Sequence, residues 1–230
     1  ALTEPHVPRM PSTMFKGKSG LGFRGDAILQ MDWTVGEIMK QLKATGIEKN
    51  TLLIFSSDNG PVLDDGYVDG AVTQLNGHNP RGPLRGGKYS AFEAGTRVPL
   101  ILHWPGRVQP NVAEALICQV DFIASFSKLL NQSISMNEAT DSENRLAALL
   151  GKTDKGRTTL VKQGAALSIT KNGWKYIEPN IGPAINQLTN IELGNLNAPQ
   201  LYNLADDVAE KNNVAEKYPE KVKELAALLV

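Results

Sequence analysis

The stretch "TLLIFSSDNGP", residues 51–61, joins an apolar run to a cluster of oxygen-bearing side chains. Leu52 to Ser56 has the length and character of a strand that is covered on both faces of a sheet. Asp58 and Asn59 follow at once, and open α/β sheets bind their ligands at the carboxyl ends of strands. The pair offers oxygens to a hard cation such as Ca²⁺, although an Asx turn that leaves the strand explains the same two residues.

Helical and strand patterns alternate on either side of this stretch. Apolar residues recur at helical spacing through residues 25–46, which predicts an amphipathic helix that ends at a glycine. Strand character returns at residues 98–104, and "VDFIASFSKLL" predicts a helix over residues 121–130. The sequence therefore predicts an α/β fold with a partial mixed sheet flanked by helices.

The carboxyl-terminal third of the chain has a different pattern. The segments "TTLVKQ", "ALSIT", "WKYIEP" and "QLYNL" are short strand candidates, and the Asn-Gly of "TKNGWKY" indicates a hairpin. "YPEKVKELAALL" predicts a final amphipathic helix. We therefore divide the chain into residues 1–150, part of an α/β domain, and residues 151–230, a small antiparallel sheet with a helix.

Composition excludes several classes of protein. The 230 residues include 24 Lys and Arg and 24 Asp and Glu, without a long basic stripe, so we expect no nucleic-acid partner. No apolar run approaches the roughly 20 residues of a membrane-spanning helix, so we expect no membrane partner. The single cysteine excludes an internal disulfide and a multi-cysteine metal site.

A long loop follows the quoted stretch. Residues 58–88 are rich in Gly, Pro, Asp and Asn, and loops of that length are usually functional or disordered. His78 and Arg81 lie within it, where side chains that contact a substrate are often found. At its end, two glycines let the backbone approach a ligand and Lys88 offers a compact cation to an oxyanion, although a solvated loop lysine has the same sequence.

Two further features involve charged or titratable side chains. His6 stands between two prolines in "EPHVP", where a rigidly held imidazole can protonate a leaving group or bind an anion. A histidine in a surface loop is the commoner case. Glu93 and Arg97 are four residues apart in "FEAGTR", a spacing that predicts a structural ion pair.

These motifs occur in a characteristic order. "PHVP", "FSSDNGP", "LRGGKYSAFEAGTRVPLILHWPG" and "PQLYNLADDVAEKNNVAEKYPE" follow one another as in type I sulfatases, and the sequence resembles that arylsulfatase-like branch of the alkaline-phosphatase-like superfamily over nearly its whole length. The resemblance implies an alkaline-phosphatase-like fold and hydrolysis of a sulfate ester of a carbohydrate or an aryl alcohol. Residues 1–150 would then be the carboxyl-terminal part of the sulfatase catalytic domain.

The resemblance also implies roles for single residues. Asp58 and Asn59 match the family's Ca²⁺ ligands, Lys88 matches a lysine that contacts a sulfate oxygen, and His6 matches a histidine that contacts the sulfate or its bridging oxygen. His78 and Arg81, in the long loop, are then expected to bind the substrate. The polar character of that loop favours a sulfated sugar over an apolar aryl group.

One part of the family pattern is absent from this sequence. Sulfatases carry a Cys/Ser-x-Pro-x-Arg motif whose first residue becomes formylglycine, the nucleophile, together with further aspartate ligands for Ca²⁺; neither occurs here. We therefore expect a carboxyl-terminal half that is inactive alone and has the amino-terminal half of the same protein as its partner. A periplasmic or secreted location is implied by the resemblance only.

Two other functions are compatible with the same residues. A phosphomonoester or phosphonate hydrolase of the same superfamily would share the scaffold and the metal ligands. A non-catalytic binding module would keep the scaffold without the chemistry.

Overall fold

The computed structural model of the chain describes residues 1–135 and 137–229. It has the α/β class that the sequence predicts. Its helices are α1 (Gly22–Ala44), α2 (Glu93–Thr96), α3 (Asp121–Leu129), α4 (Leu146–Leu149) and α5 (Pro219–Ala226), with a 3-10 turn at Glu48–Asn50. Its strands are β1 (Leu53–Ser56), β2 (Leu100–His103), β3 (Thr159–Gln163), β4 (Leu167–Lys171), β5 (Trp174–Ile177), β6 (Ile185–Asn186), β7 (Ile191–Glu192) and β8 (Gln200–Asn203).

Helix α1 ends where the sequence predicts. The N–H of Gly46 donates to Lys43 O and the N–H of Ile47 donates to Leu42 O, both at 3.1 Å. This pair of bonds is a Schellman motif, and Gly46 adopts the left-handed conformation that the motif requires, with φ of 73°. Main-chain donors thus satisfy two orphan carbonyls of the last turn, and Thr45 Oγ1 donates to Gln41 O at 2.8 Å.

The apolar stripe of α1 is only half covered. Ile38 and Met39 are exposed, and so is Trp33, whose ring centroid lies 5.8 Å from that of Phe15. Apolar side chains exposed together on one element mark a surface that another segment covers. In the described part of the chain, no helix combines the length and the hydrophobicity that crossing a membrane requires.

Strands β1 and β2 pair antiparallel, and this pair is what the chain contributes to the expected mixed sheet. Leu53 lies opposite His103, and Ser56 lies opposite Leu100. The long loop between the strands therefore starts and finishes at the same end of the strand pair, where Ser56 lies opposite Leu100. Both ends of that loop meet where the oxygen-bearing side chains were predicted to lie.

The carboxyl-terminal sheet is antiparallel in the order β3-β4-β5-β8. The predicted hairpin between β4 and β5 is present, and both turn residues have positive φ, 50° at Asn172 and 78° at Gly173. Strands β6 and β7 form a separate two-residue pair that the sequence analysis did not anticipate. Strands that short show no periodic pattern.

Each face of this sheet is covered by a different part of the chain. One face packs against α5 in a core cluster formed by Ile169, Tyr176, Leu201 and Leu225. The other face packs against the segment just before α2, in a cluster formed by Ala91, Phe92, Ala166, Ile177 and Tyr202. Residues assigned to the first predicted domain thus share a core with the second, and the division at residue 150 remains a prediction.

A buried ion pair also connects the two parts. Arg157, just before β3, donates from Nε to Asp121 Oδ2 at 2.8 Å and from Nη2 to Asp121 Oδ1 at 2.6 Å. Its Nη1 reaches Glu143 Oε1 at 3.1 Å. Burial alone would raise the pKa of the Asp121 carboxyl, but the bonds from Arg157 hold this pKa below its ordinary value. The pair fixes the start of the sheet to the start of α3.

Candidate active site

The end of β1 forms a turn built from its own polar side chains. Asp58 is exposed, and its Oδ1 accepts the N–H of Asn59 at 2.9 Å. Asn59 Nδ2 donates to Gly60 O at 3.0 Å, so its Oδ1 points away from that carbonyl. An Asx turn would need Asp58 to accept the N–H of Gly60, which donates to Gly95 O instead, so the Asx turn that the sequence allowed is not formed. The arrangement leaves a carboxylate oxygen and an amide oxygen available to a cation.

A neighbouring side chain steadies the strand end. Gln119 Nε2 donates to Ser56 Oγ at 2.9 Å and to Ser57 O at 2.8 Å. Ser56 Oγ in turn donates to Pro99 O at 2.9 Å, which ties the end of β1 to the approach of β2. These hydrogen bonds therefore hold in place the backbone that leads into the turn at Asp58.

Gly60 brings the turn into contact with α2. Its N–H donates to Gly95 O at 3.0 Å, and a Cβ at this position would lie 1.6 Å from Ala94 O. No side chain fits at that distance. Glycine is therefore required here because of a close approach of two backbones.

Pro61 joins the turn to the segment of residues 85–94 that carries Lys88, which we call the lysine loop. The N–H of Lys88 donates to Pro61 O at 3.0 Å. A Cβ on Gly87 would lie 2.7 Å from the same oxygen, so the glycine before the lysine is what permits the contact. The structure thus brings the backbone of Lys88 beside the turn that carries Asp58 and Asn59.

Lys88 is half-buried, and its loop contains local strain. Lys88 Nζ lies 5.4 Å from the centroid of the Tyr89 ring. Tyr89 has φ of 76°, a left-handed conformation that costs a residue with a side chain about 1–2 kcal/mol. The N–H of Ser90 donates to Gly87 O at 3.0 Å and closes the turn. Strain of this kind persists where surrounding contacts fix the backbone, as at many functional sites.

His6 is exposed in the opening segment. Its Nδ1 lies 2.9 Å from Val7 O, and because a carbonyl only accepts, Nδ1 is the nitrogen that carries hydrogen. Nε2 is then the nitrogen left to face a ligand. The imidazole can accept a proton there, or donate one once it is charged.

Arg9, which the sequence analysis did not single out, fixes the segment of His6 to the long loop. Its buried guanidinium lies 2.6 Å from Asp65 Oδ2 and 2.7 Å from Asp69 Oδ2. Its Nη2 also donates to Val62 O at 3.2 Å. Val62 follows the proline that accepts from the lysine loop, so the contacts of Arg9 connect the opening segment to the same stretch of backbone.

The two predicted substrate-binding residues differ in how they are held. Arg81 Nη1 donates to Gly86 O at 3.1 Å, which places Arg81 at the start of the lysine loop. His78 is exposed at a turn, where its N–H donates to Leu75 O at 2.7 Å. The structure connects Arg81 to the lysine loop and leaves His78 at the surface. The roles assigned to both residues remain predictions.

The donor set fits part of a cation shell. Ca²⁺ takes six to eight oxygen ligands, of which Asp58 and Asn59 would supply one carboxylate and one amide. Within residues 1–135 and 137–229, no group of three or more His, Cys, Asp and Glu side chains is arranged to hold a metal ion. Asp58 and Asn59 therefore remain predicted ligands, and a complete shell around such a cation would need further oxygens.

A buried cluster of charges lies behind the lysine loop, and the sequence analysis missed it. Glu93 Oε1 lies 2.5 Å from Lys162 Nζ and 3.0 Å from Lys175 Nζ. The predicted pair with Arg97 is present but long, with 3.9 Å between Arg97 Nη1 and Glu93 Oε2, and Arg97 is exposed. Glu93 therefore has its main partners on β3 and β5. A lysine within each apolar strand was the available signal for a buried acidic partner.

Glu210 completes the cluster. Lys175 Nζ lies 2.8 Å from Glu210 Oε1, and both side chains are fully buried. Burial alone would raise the pKa of Glu93, but Lys175 and then Lys162 lower it to about 2. Burial raises the pKa of Glu210 and lowers that of Lys162. The cluster thus keeps Glu93 ionised at the base of the loop.

Known proteins are similar in sequence to most of this chain. The Sulfatase family model matches residues 4–132, which include all the candidate site residues. The N-acetylgalactosamine-6-O-sulfatase of Bacteroides thetaiotaomicron is 55% identical over 226 residues, covering 97% of this chain and 44% of that protein. Arylsulfatase A of Bos taurus is 30% identical over 155 residues, covering 67% of this chain and 29% of that protein.

A solved structure supports the same assignment. A protein from work on the metabolism of multiple glycosaminoglycans by Bacteroides thetaiotaomicron has a TM-score of 0.97 and 54% identity, covering 99% of this chain and 48% of that one. The chain spans less than half the length of these relatives. Their common family confirms the resemblance found in the sequence: the chain belongs to the Sulfatase family.

Proposed function

We propose that the protein to which this chain belongs hydrolyses a sulfate ester of a carbohydrate, with a 6-O-sulfated N-acetylgalactosamine as the first candidate. The observation that carries the proposal is the hydrogen bond from Lys88 N–H to Pro61 O, which joins the main chain of the lysine loop to the turn of Asp58 and Asn59. The candidate substrate comes from the 55% identical relative, an N-acetylgalactosamine-6-O-sulfatase.

The chemistry needs charge stabilisation at two places. Breaking the S–O bond of a sulfate ester gathers negative charge on the nonbridging oxygens and on the leaving oxygen. Lys88 Nζ would stabilise a nonbridging oxygen. His6, charged at Nε2, would donate its proton to the leaving oxygen, while the Val7 carbonyl keeps the ring oriented through Nδ1.

Two groups outside these residues would take part. Asp58 and Asn59 would hold Ca²⁺ with oxygens from the amino-terminal part of the protein, and the ion would neutralise charge on the sulfate. Formylglycine, expected in that same part, would supply the nucleophile. This chain alone is therefore proposed to be inactive, with the amino-terminal part of the same protein as its partner.

The surface of this chain supports that partnership. Arg24 is buried, and its Nε has no hydrogen-bond partner among the described residues. Burial lowers the pKa of the Arg24 guanidinium, as expected for a cation short of counter-charge. The exposed stripe on α1 lies on the same helix. We infer that the amino-terminal part covers this helix and brings an acidic group to Arg24.

The long loop would form one side of the sugar-binding site. Arg81 is fixed through Nη1, so its other N–H groups can bind hydroxyls or a carbonyl of a sugar. His78, exposed on the same loop, would form a second polar contact. Because polymeric sulfated sugars do not cross a cytoplasmic membrane, we place the protein in the periplasm or outside the cell. Fractionation of cells that produce it would test this location.

The test is a substrate panel with the full-length protein. It compares N-acetylgalactosamine 6-sulfate, its 4-sulfate isomer, glucosamine 6-sulfate, an aryl sulfate and the matching aryl phosphate. We expect the 6-sulfated galactosamine to react fastest, and Lys88→Ala to lower kcat/KM by about a hundredfold or more, as loss of a charge-stabilising donor does. Lys152→Ala, which removes an exposed loop lysine, is the control.

The other outcomes identify the alternatives. Faster reaction of the phosphate than of every sulfate would favour a phosphomonoester hydrolase. Binding of sulfated sugars without turnover would favour a non-catalytic module. Either result would overturn the proposed reaction.

A further inference from the structure

Glu210 contacts both ends of the segment that carries Lys88. Arg85 Nη1 donates to the main-chain oxygen of Glu210 at 2.7 Å. Glu93 donates its N–H to the side-chain Oε2 of Glu210 at 2.6 Å. One residue, which follows the last strand of the carboxyl-terminal sheet, thus holds residues 85 and 93, with the lysine between them.

The same segment is closed and supported along its length. Ala94 N–H donates to Arg85 O at 2.9 Å, which brings its two ends together. Ala91 N–H donates to Leu193 O at 2.9 Å, and a Cβ on Gly164 would lie 2.4 Å from Ser90 O. Residues of the carboxyl-terminal part of the chain therefore support the lysine loop, while the N–H of Lys88 joins the loop to the turn at the end of β1.

Glu210 is itself held in one geometry. It is fully buried, its Oε1 lies 2.8 Å from Lys175 Nζ, and it has φ of 52°, a left-handed conformation that strains a residue with a side chain. Its two carboxylate oxygens have separate partners: Oε2 accepts the N–H of Glu93, and Oε1 forms an ion pair with the ammonium of Lys175. Each oxygen is therefore committed to one contact.

Stability alone does not account for these charges. Replacing a buried ion pair by well-packed apolar side chains is often neutral or stabilising, because desolvation offsets the attraction. The apolar contact of Phe92 with Tyr202, whose ring centroids are 6.2 Å apart, already fastens the segment to the sheet. What the charge-assisted contacts add is a single direction and distance for the two ends of the loop.

We propose that Glu210 is a positioning residue that holds the Lys88 loop in its reactive geometry from the carboxyl-terminal sheet, an inference that rests on the proposed function. Displacement of a reacting group by about 1 Å costs roughly a hundredfold in rate. Loosening either end of the loop would move the ammonium by that order. The carboxyl-terminal sheet would thus take part in catalysis through geometry, without touching the substrate.

The test is a double-mutant cycle in the full-length enzyme. Glu210→Gln leaves one of the two donors facing an amide nitrogen and so breaks one contact. We expect kcat/KM to fall about tenfold or more and inhibition by free inorganic sulfate to weaken. In a Lys88→Ala background the same substitution should change kcat/KM less than about twofold, because a residue that acts through Lys88 has no further effect once Lys88 is gone.

Matched variants separate positioning from stability. Glu224→Gln removes a carboxylate that also contacts two lysines, Lys171 and Lys221, but at the surface of the same sheet. It should leave kcat/KM unchanged in both backgrounds. Arg85→Lys loosens the other end of the loop and should repeat the non-additive result if Glu210→Gln does not fold. Effects of Glu210→Gln and Lys88→Ala that multiply would overturn the proposal.

An activity-independent measurement keeps the two proposals distinguishable. Hydrogen exchange at the amides of residues 85–94 should accelerate in Glu210→Gln and not in Glu224→Gln. A wild-type enzyme without sulfatase activity would refute the proposed function. The exchange result would still show whether Glu210 holds the lysine loop in place. Unchanged exchange across the loop would refute the positioning role even in an active enzyme.

Discussion

Acid should remove the stabilisation that Glu93 contributes, and Glu93→Gln should reveal how large it is. The carboxylate is buried against Lys175 and Lys162, and its pKa is lowered from 4.5 to about 2. That difference corresponds to about 3 kcal/mol of preferential stabilisation of the ionised group in the folded state. Glu93→Gln should therefore lower the free energy of unfolding of the carboxyl-terminal sheet by about 3 kcal/mol at pH 7.

The sign of the pH dependence follows from the lowered pKa. The unfolded chain takes up the proton near pH 4.5 and the folded chain only near pH 2, so the stabilisation is complete above the first value and is lost as pH falls towards the second. At pH 3 about 1 kcal/mol should remain. The gap between wild type and Glu93→Gln should shrink accordingly between pH 7 and pH 3.

Hydrogen exchange of the β4 and β5 amides in the full-length protein, measured against urea concentration at both pH values, gives this free energy directly. Glu224→Gln is the control, because its carboxylate is at the surface, where ion pairs contribute little. A gap that stays constant from pH 7 to pH 3, or widens, would refute the reasoning. So would a gap at pH 7 no larger than that of the control.

Three further predictions test other contacts. Gly60→Ala places a Cβ where Ala94 O already lies, so we expect a loss of at least about 3 kcal/mol in urea unfolding and loss of activity; near-normal stability would contradict the backbone contact. Arg9→Leu leaves two carboxylates without their counter-ion and should cost about 3–5 kcal/mol, with faster proteolysis of the opening segment; unchanged proteolysis would count against its anchoring role. Chelation of Ca²⁺ should lower the melting temperature of the full-length protein, and calorimetry should show Asp58→Asn binding Ca²⁺ at least about tenfold more weakly; equal affinity would remove Asp58 from the ligand set.

Local signals predicted most of the fold. The period of α1, the glycine at its end and the Asn-Gly hairpin each depend on residues close together in sequence, and all three are present. The candidate site was also readable at both of its ends, because the turn after β1 and the loop of Lys88 are short motifs. Only the structure shows that the two motifs touch through Pro61, because the loop between them has no regular sequence pattern.

What the sequence did not predict depends on contacts between distant residues. Glu93 has a closer partner on β5 than the arginine four residues away, and no local rule distinguishes the two. Arg9 pairs with acids more than fifty residues later, in the long loop. Tertiary contacts of this kind override helical spacing, because burial strengthens a charge pair that exposure would weaken.

Ala91 and Phe92 pack on one face of the carboxyl-terminal sheet, and this contact limits how the chain can be recombined with its relatives. A chimera that exchanges residues 151–229 between this chain and another member of the Sulfatase family would set a foreign sheet against the native Phe92, and it would mismatch the acid and base partners around Glu93. Exchanging residues 85–96 together with the sheet would keep both sets of contacts. The unit of this chain that can be exchanged without breaking these contacts is therefore discontinuous in sequence, because it consists of the loop and the sheet together.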